Sequence, residues 1–392
     1  MTFPLAERVQ RIKPSPTLAI SARADALEAS GKPIINLSVG EPDFDTPDFI
    51  KDAAIQAIRD GRTRYTAVDG IQPLKQAIVR KFSKDNHLDY ALNQVLVSCG
   101  AKHSIFNALI AILQPQDEVI IPAPYWVSYP DMVLLAEGQP VIVKTDFSQH
   151  FKLTPAQLEA AITPKTRILI LNSPSNPTGQ AYHRDELQAL GDVLLRHPQV
   201  MVISDDIYEQ HLWNHTPYVN LLNVTPALYD RCLVVNGVSK TYAMTGWRIG
   251  YAAGPAPLIA AMKKAQSQST SNPCSIAQYA ALAALEGDQG CVANMTAAYR
   301  QRHDFLVGEL NTLPGVECLP SDGTFYAFPR VQALFNPERG MTDLAFAECL
   351  LDKLDIAIVP GSAFGAPEHI RICYTTSMEQ LVEAVKRLRQ WL

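Results

Sequence analysis

Five short runs rich in β-branched residues punctuate this chain: VLVS at 95–98, EVIIP at 118–122, RILILN at 167–172, VMVIS at 200–204 and CLVVN at 232–236. The stretches between them read as helical. This rhythm constrains the fold to the α/β class, because parallel strands need a long crossover and a helix is its usual form. Most of the runs lack period-2 alternation, as strands covered on both faces do. In such a sheet the residues that meet a ligand belong at the carboxyl ends of the strands.

With 392 residues the chain exceeds the size at which one hydrophobic core stops growing, so two domains around a cleft are expected. Thr46-Pro47 opens a helix with Ile50, Ala54 and Ala57 on one face. Ser377 and Gln380 form a capping box ahead of Leu381, Val385, Leu388 and Leu392, an amphipathic terminal helix. Residues 290–313 read as one long helix, which links a large domain over 48–289 to a smaller one built from 1–47 and 290–392.

Composition excludes several classes. Apolar residues make up 47% and the formal net charge is −5, which indicates neither disorder nor a surface for polyanions. No apolar run approaches membrane-spanning length, and MTFPLAERVQRIKPSP lacks the apolar segment of a leader, so a soluble cytoplasmic protein is expected. Seven cysteines, scattered and without a C-x-x-C, fit reduced thiols. Nine histidines without H-E-x-x-H spacing give no reason to expect a metal.

Four strand ends carry unusual polar residues. After VLVS come Cys99, Gly100, Ala101 and Lys102 at a helix start, where exposed N–H groups can bind an anion; taken alone the signal is weak and a plain strand-to-helix turn is the better reading. After RILILN, the prolines and glycine of SPSNPTGQ hold Asn176 in a rigid loop. After VMVIS stand Asp205, Asp206 and Tyr208; a carboxylate there can cap a helix or pair with a buried cation. After CLVVN comes GVSKTYAMTGWRIGY, whose Lys240 lies in tight apolar surroundings that favour a nucleophilic amine, with Arg248 able to grip a phosphate. A lysine nucleophile, a phosphate cradle, a carboxylate for a heterocyclic cation and an aromatic pair, Tyr125-Trp126, together suit pyridoxal phosphate. The glycine patterns of dinucleotide and nucleoside-triphosphate sites do not occur.

SNPTG, SDDIY and SKTYAMTGWRIGY closely resemble class I aminotransferases, in particular the bacterial-type aspartate aminotransferase subgroup. LSVGEPDFDTP, RYTAVDG, PYWVSYP, GTFY and RICYTTS extend the resemblance over nearly the whole chain. It implies the fold-type-I architecture of pyridoxal-phosphate-dependent transferases: a large domain with a mainly parallel sheet and a smaller α+β domain. It also implies that Lys240 carries the cofactor as a Schiff base and later moves the substrate proton. Asp205 would hold the ring nitrogen protonated, Asn176 and Tyr208 would bond the ring oxygen, and Trp126 would stack on the ring. Gly100, Ala101, Lys102, Ser239 and Arg248 would hold the phosphate. Tyr65 matches a tyrosine that reaches the neighbouring subunit's phosphate, implying a homodimer with shared sites. Arg371, with Gly40 and Asn176, would clamp the substrate α-carboxylate.

The substrate is argued separately. QSQSTSNPCSIAQ lacks the arginine by which animal-type aspartate aminotransferases grip the distal carboxylate. The subgroup resembled here uses a lysine after the phosphate loop instead; Lys102 stands at that place, and Thr17 matches a threonine that assists it. The resemblance thus implies transamination between aspartate and 2-oxoglutarate, with prephenate accepted by some members. Alanine, aromatic or kynurenine aminotransferases are the alternatives, opposed by Lys102 and Thr17 alone.

Overall fold

The computed structural model describes residues 3–14, 16–213, 218–335 and 341–392. Among the described residues twelve strands follow one another: β1 (Ile35–Asn36), β2 (Val95–Ser98), β3 (Glu118–Ala123), β4 (Gln139–Lys144), β5 (Thr166–Asn172), β6 (Met201–Asp205), β7 (Cys232–Gly237), β8 (Gly250–Ala253), β9 (Tyr326–Ala327), β10 (Ile356–Ala357), β11 (Val359–Pro360) and β12 (Ile370–Cys373). Each of the five sequence runs is a strand within about one residue of its expected bounds.

Seven of these strands form the central sheet in the order β2-β8-β7-β6-β5-β3-β4. The block from β7 to β4 is parallel, while β8 runs antiparallel between β2 and β7. Successive residues of these strands enter opposite cores. Val95, Val97, Leu169, Leu171, Val202, Cys232 and Val234 pack on one face. Leu96, Ile168, Ile170, Ile203, Leu233 and Val235 pack on the other. Both faces are therefore apolar, which is why these strands read as continuous runs. Fully burying each Val, Leu or Ile contributes about 1.5–3 kcal/mol.

A further core draws on both ends of the chain. Ile20, Ile34, Ile35 and Leu37 pack with Met295, Tyr299, Leu306, Phe346, Ile372 and Leu381. Its backbone frame is a parallel pair of β1 with β10 and an antiparallel sheet in the order β11-β12-β9. The helix expected over 290–313 spans Gly290–Leu310 and buries Met295, Tyr299 and Leu306 in this core.

Local details differ from the sequence reading. Ile50, Ala54 and Ala57 are buried as expected on the helix Asp48–Arg59, but its N-cap is Pro47, and the Thr46 hydroxyl donates to the Ala243 carbonyl at 2.6 Å. Ser377 caps the terminal helix by accepting from the Gln380 N–H, whereas the Gln380 side chain bonds Thr376 and does not return to complete a box. Leu381, Val385 and Leu388 are buried; Leu392, last in the chain, is 37% exposed. Among the described residues no helix is long and apolar enough to cross a membrane, and no group of three or more His, Cys, Asp or Glu could hold a metal.

Candidate active site

The parallel strands deliver their carboxyl ends to one edge of the central sheet. β8 starts there, since Gly250 pairs with both Ser98 and Gly237. A cleft of about 290 Å³ opens at this edge, and Thr17, Gly40, Ala101, Lys102, Trp126, Asn176, Asp205, Tyr208, Ser239, Lys240, Arg248 and Arg371 all line it.

Lys240 follows β7. Its Nζ donates to the Gly40 carbonyl at 2.7 Å, and burial lowers its pKa to about 8, so a useful share of free amine exists near neutral pH. Burial likewise holds the His211 imidazole neutral, with a pKa lowered to about 4. His211 Nε2 lies 3.0 Å from the Lys240 carbonyl and Nδ1 3.0 Å from the Thr296 hydroxyl. As donor to that carbonyl it pins the lysine backbone to the long helix.

Asp205 ends β6 and is 3% exposed. The Tyr129 hydroxyl donates to its Oδ2 at 2.6 Å, and the Ile207 N–H to Oδ1 at 3.3 Å. Burial pushes the pKa up to about 6 against the pull of Tyr129. No described cation forms a salt bridge with it, so a buried carboxylate faces the cleft with capacity for a positive charge.

Asn172, at the end of β5, ties the SPSNP loop to β6. Its Nδ2 donates to the Asp205 carbonyl at 2.8 Å, and its Oδ1 accepts the Asn176 N–H at 2.9 Å. From β12, Arg371 donates through Nη1 to Asn176 Oδ1 at 3.1 Å and through Nη2 to the Ser38 carbonyl at 2.7 Å, while its buried Nε has no partner. That leaves a guanidinium with donor capacity for a carboxylate.

At the start of the helix Ala101–Ile112, Gly100 has φ +90°, and a Cβ there would come within 2.4 Å of Arg248 Nη2. Its N–H is spent on the Ser98 carbonyl at 2.8 Å. The N–H groups of Ala101 and Lys102 lead the helix without intrahelical acceptors. Arg248, itself left-handed at φ 56°, is anchored to the Thr245 carbonyl at 2.7 Å. The Lys102 ammonium lies over the Trp126 ring, 4.9 Å from its centroid, and burial, then Arg248, lowers its pKa. The Thr17 hydroxyl is buried without a partner.

Two expected residues do not line the cleft: Gly100, directly before the lining residues Ala101 and Lys102, and Tyr65, which is 90% exposed. Tyr129 and Tyr326 are the ones sequence reasoning missed. Tyr129 sits three positions past Trp126, one helical turn, and meets it edge to face at 5.3 Å. Tyr326 ends the GTFY segment, and its hydroxyl is 2.8 Å from that of Tyr208.

Residues 32–388 match the family model for aminotransferase class I and II. The chain is 55% identical to the aspartate/prephenate aminotransferase of Nitrosomonas europaea, covering 99% of each. It is 47% identical to the aspartate aminotransferase of Geobacillus stearothermophilus, over 99% of this chain and 98% of that one. The crystal structure of the Rhizobium meliloti aspartate aminotransferase superposes with a TM-score of 0.95 at 47% identity, covering 99% of this chain and 98% of that one. Sequence, fold and cleft agree: this chain belongs to the class I and II aminotransferases.

Proposed function

We propose that this aminotransferase uses pyridoxal phosphate to move the amino group of L-aspartate to 2-oxoglutarate, with prephenate as a further acceptor. The observation that carries the reading is the buried Asp205 carboxylate, unpaired by any described cation, in the same cleft as a depressed-pKa lysine and an arginine with an unpartnered Nε. A pyridinium nitrogen, a carbonyl carbon and a substrate carboxylate are the groups such a trio accommodates. The names of the relatives support aspartate and prephenate.

When bound, pyridoxal phosphate supplies an electrophilic carbonyl and a ring that withdraws electrons from the substrate α-carbon. Lys240 Nζ would hold it covalently and, once freed by the incoming amino group, would serve as the base that moves the substrate's α-proton. Asp205 would keep the ring nitrogen protonated, and Asn176 and Tyr208 would donate to the ring oxygen; Trp126 would lie against the ring, and the Ala101 and Lys102 amides, Ser239 and Arg248 would hold the phosphate. Arg371 fixes the α-carboxylate, with the Gly40 backbone and Asn176 beside it, while Lys102 and Thr17 receive the distal carboxylate. Residues 48–289 form one domain and residues 1–47 with 290–392 the other, closing on the substrate to exclude water. Tyr65, exposed in the single chain, completes the phosphate site of a second copy, so the working unit is a homodimer. A cytoplasmic location belongs to this reading and is supported by the scattered cysteines.

The test is the absorbance of the protein loaded with pyridoxal phosphate, before and after L-aspartate alone. Loss of the visible band in favour of the pyridoxamine form is expected. A band unmoved by aspartate but discharged by alanine or phenylalanine would replace the donor assignment. Lys102→Ala should weaken dicarboxylic substrates by about tenfold or more, the worth of a charge-assisted hydrogen bond, and leave alanine and phenylalanine nearly untouched; equal losses for both classes would remove the role of Lys102.

A further inference from the structure

Tyr326 is placed with more constraint than packing requires. Its ring lies against the Arg371 guanidinium, 4.6 Å from Cζ to the centroid, with Phe364 on the same group at 5.0 Å. Its hydroxyl stands 2.8 Å from that of Tyr208. Gly40 makes room for it, since a Cβ there would come within 2.7 Å of the hydroxyl oxygen. A phenylalanine would offer the same ring to Arg371 without that demand on Gly40, so the hydroxyl needs its own explanation.

A phenol owns one proton and accepts through its oxygen. With the Tyr208 proton committed to the cofactor's ring oxygen, the Tyr208 oxygen is left as an acceptor and Tyr326 is the donor beside it. We infer that Tyr326 is a positioning residue of the transamination site: its hydroxyl donates to Tyr208 and strengthens Tyr208 as donor to the ring oxygen, while its ring holds Arg371 in place for the substrate carboxylate. This rests on the proposed function. Linked hydrogen bonds polarise one another, so one side chain joins carboxylate binding to the electronics of the ring. The charged and titratable groups facing the tyrosine pair are Arg371 and Cys373 from β12, Asp205 from β6, the phenols of Tyr129, Tyr299 and Tyr374, and Lys240 beyond Cys373. None of them is altered when a hydroxyl is removed at position 326.

The experiment is a spectroscopic pH titration of Tyr326→Phe loaded with pyridoxal phosphate, beside wild type. Donors at the ring oxygen favour loss of the proton shared with the bound lysine nitrogen, so a weaker donor moves the midpoint upward. A rise of about half to one pH unit is expected, the worth of one neutral hydrogen bond. KM for the amino donor should hold, because the ring still stacks on Arg371, whereas Tyr326→Leu should raise it. In a Tyr208→Phe background, Tyr326→Phe should add no shift. An unmoved midpoint in Tyr326→Phe, or the same added shift in both backgrounds, overturns the inference. A wild-type protein that forms no visible band overturns the proposed function instead, so the two failures are told apart.

Discussion

Asp205 is a carboxylate whose surroundings oppose its charge. Burial lifts its pKa to about 6, and the Tyr129 hydroxyl is the strongest local influence pulling it back. The ionised form is the one that receives a ring cation, so cofactor affinity should fall as pH drops through about 6. Tyr129→Phe removes the pull, raises the Asp205 pKa further and should start that fall at higher pH, with affinity at neutral pH lower by about tenfold. Titrating cofactor into both proteins across pH isolates the effect, because the cofactor's own protonations are common to the two. Coincident curves would reduce Tyr129 to packing. Tyr129 also shows where sequence reading stops. Lys240, Asp205 and Asn176 are legible because they are polar residues that end apolar runs, whereas Tyr129 and Tyr326 are aromatics among apolar neighbours. Their decisive contacts lie 76 and 118 residues away in sequence.

Elements were easier to read than their pairing. The five runs announce a sheet buried on both faces, because alternate residues serve opposite cores and every position must be apolar. The antiparallel insertion of β8 between β2 and β7 leaves no such mark: GYAA is short, and although β7 is its neighbour in the chain, β2 lies far away. That insertion nevertheless positions the phosphate cradle, since a Cβ on Gly250 would come within 2.1 Å of the Ala101 nitrogen. Gly250→Ala must push the helix start off the strand. Overpacking of this kind costs about 1–3 kcal/mol, to be read from urea unfolding of the cofactor-free protein. Affinity for pyridoxal phosphate should drop well beyond any loss for pyridoxal, which lacks the phosphate. Parallel losses for both ligands would mean that Gly250 supports the strand and not the cradle.

On the scale of the whole molecule, the cleft takes side chains from the central sheet's edge and from the core that both chain ends build, with Arg371 bridging them through Asn176 and Ser38. Long-range closure of this kind is not written in periodicity; the resemblance of RICYTTS to its family supplied it. The same resemblance assigns Tyr65 to a neighbour's site, and its 90% exposure fits a side chain that finds its contact on another copy. Ile55 and Ile58, 45% and 53% exposed on the helix Asp48–Arg59, add apolar surface beyond what one chain covers. In a homodimer with shared sites, Lys240→Ala abolishes activity and Tyr65→Ala weakens the cofactor in both sites of its own dimer. A mixed dimer places both changes in one site and leaves the other with Lys240 from one chain and Tyr65 from its partner. Unfolding and refolding the two variants together should therefore restore wild-type cofactor affinity in about a quarter of the sites, as random pairing of protomers dictates. If Tyr65 serves its own chain, every site in the mixture carries one change or the other, and no site of wild-type affinity appears.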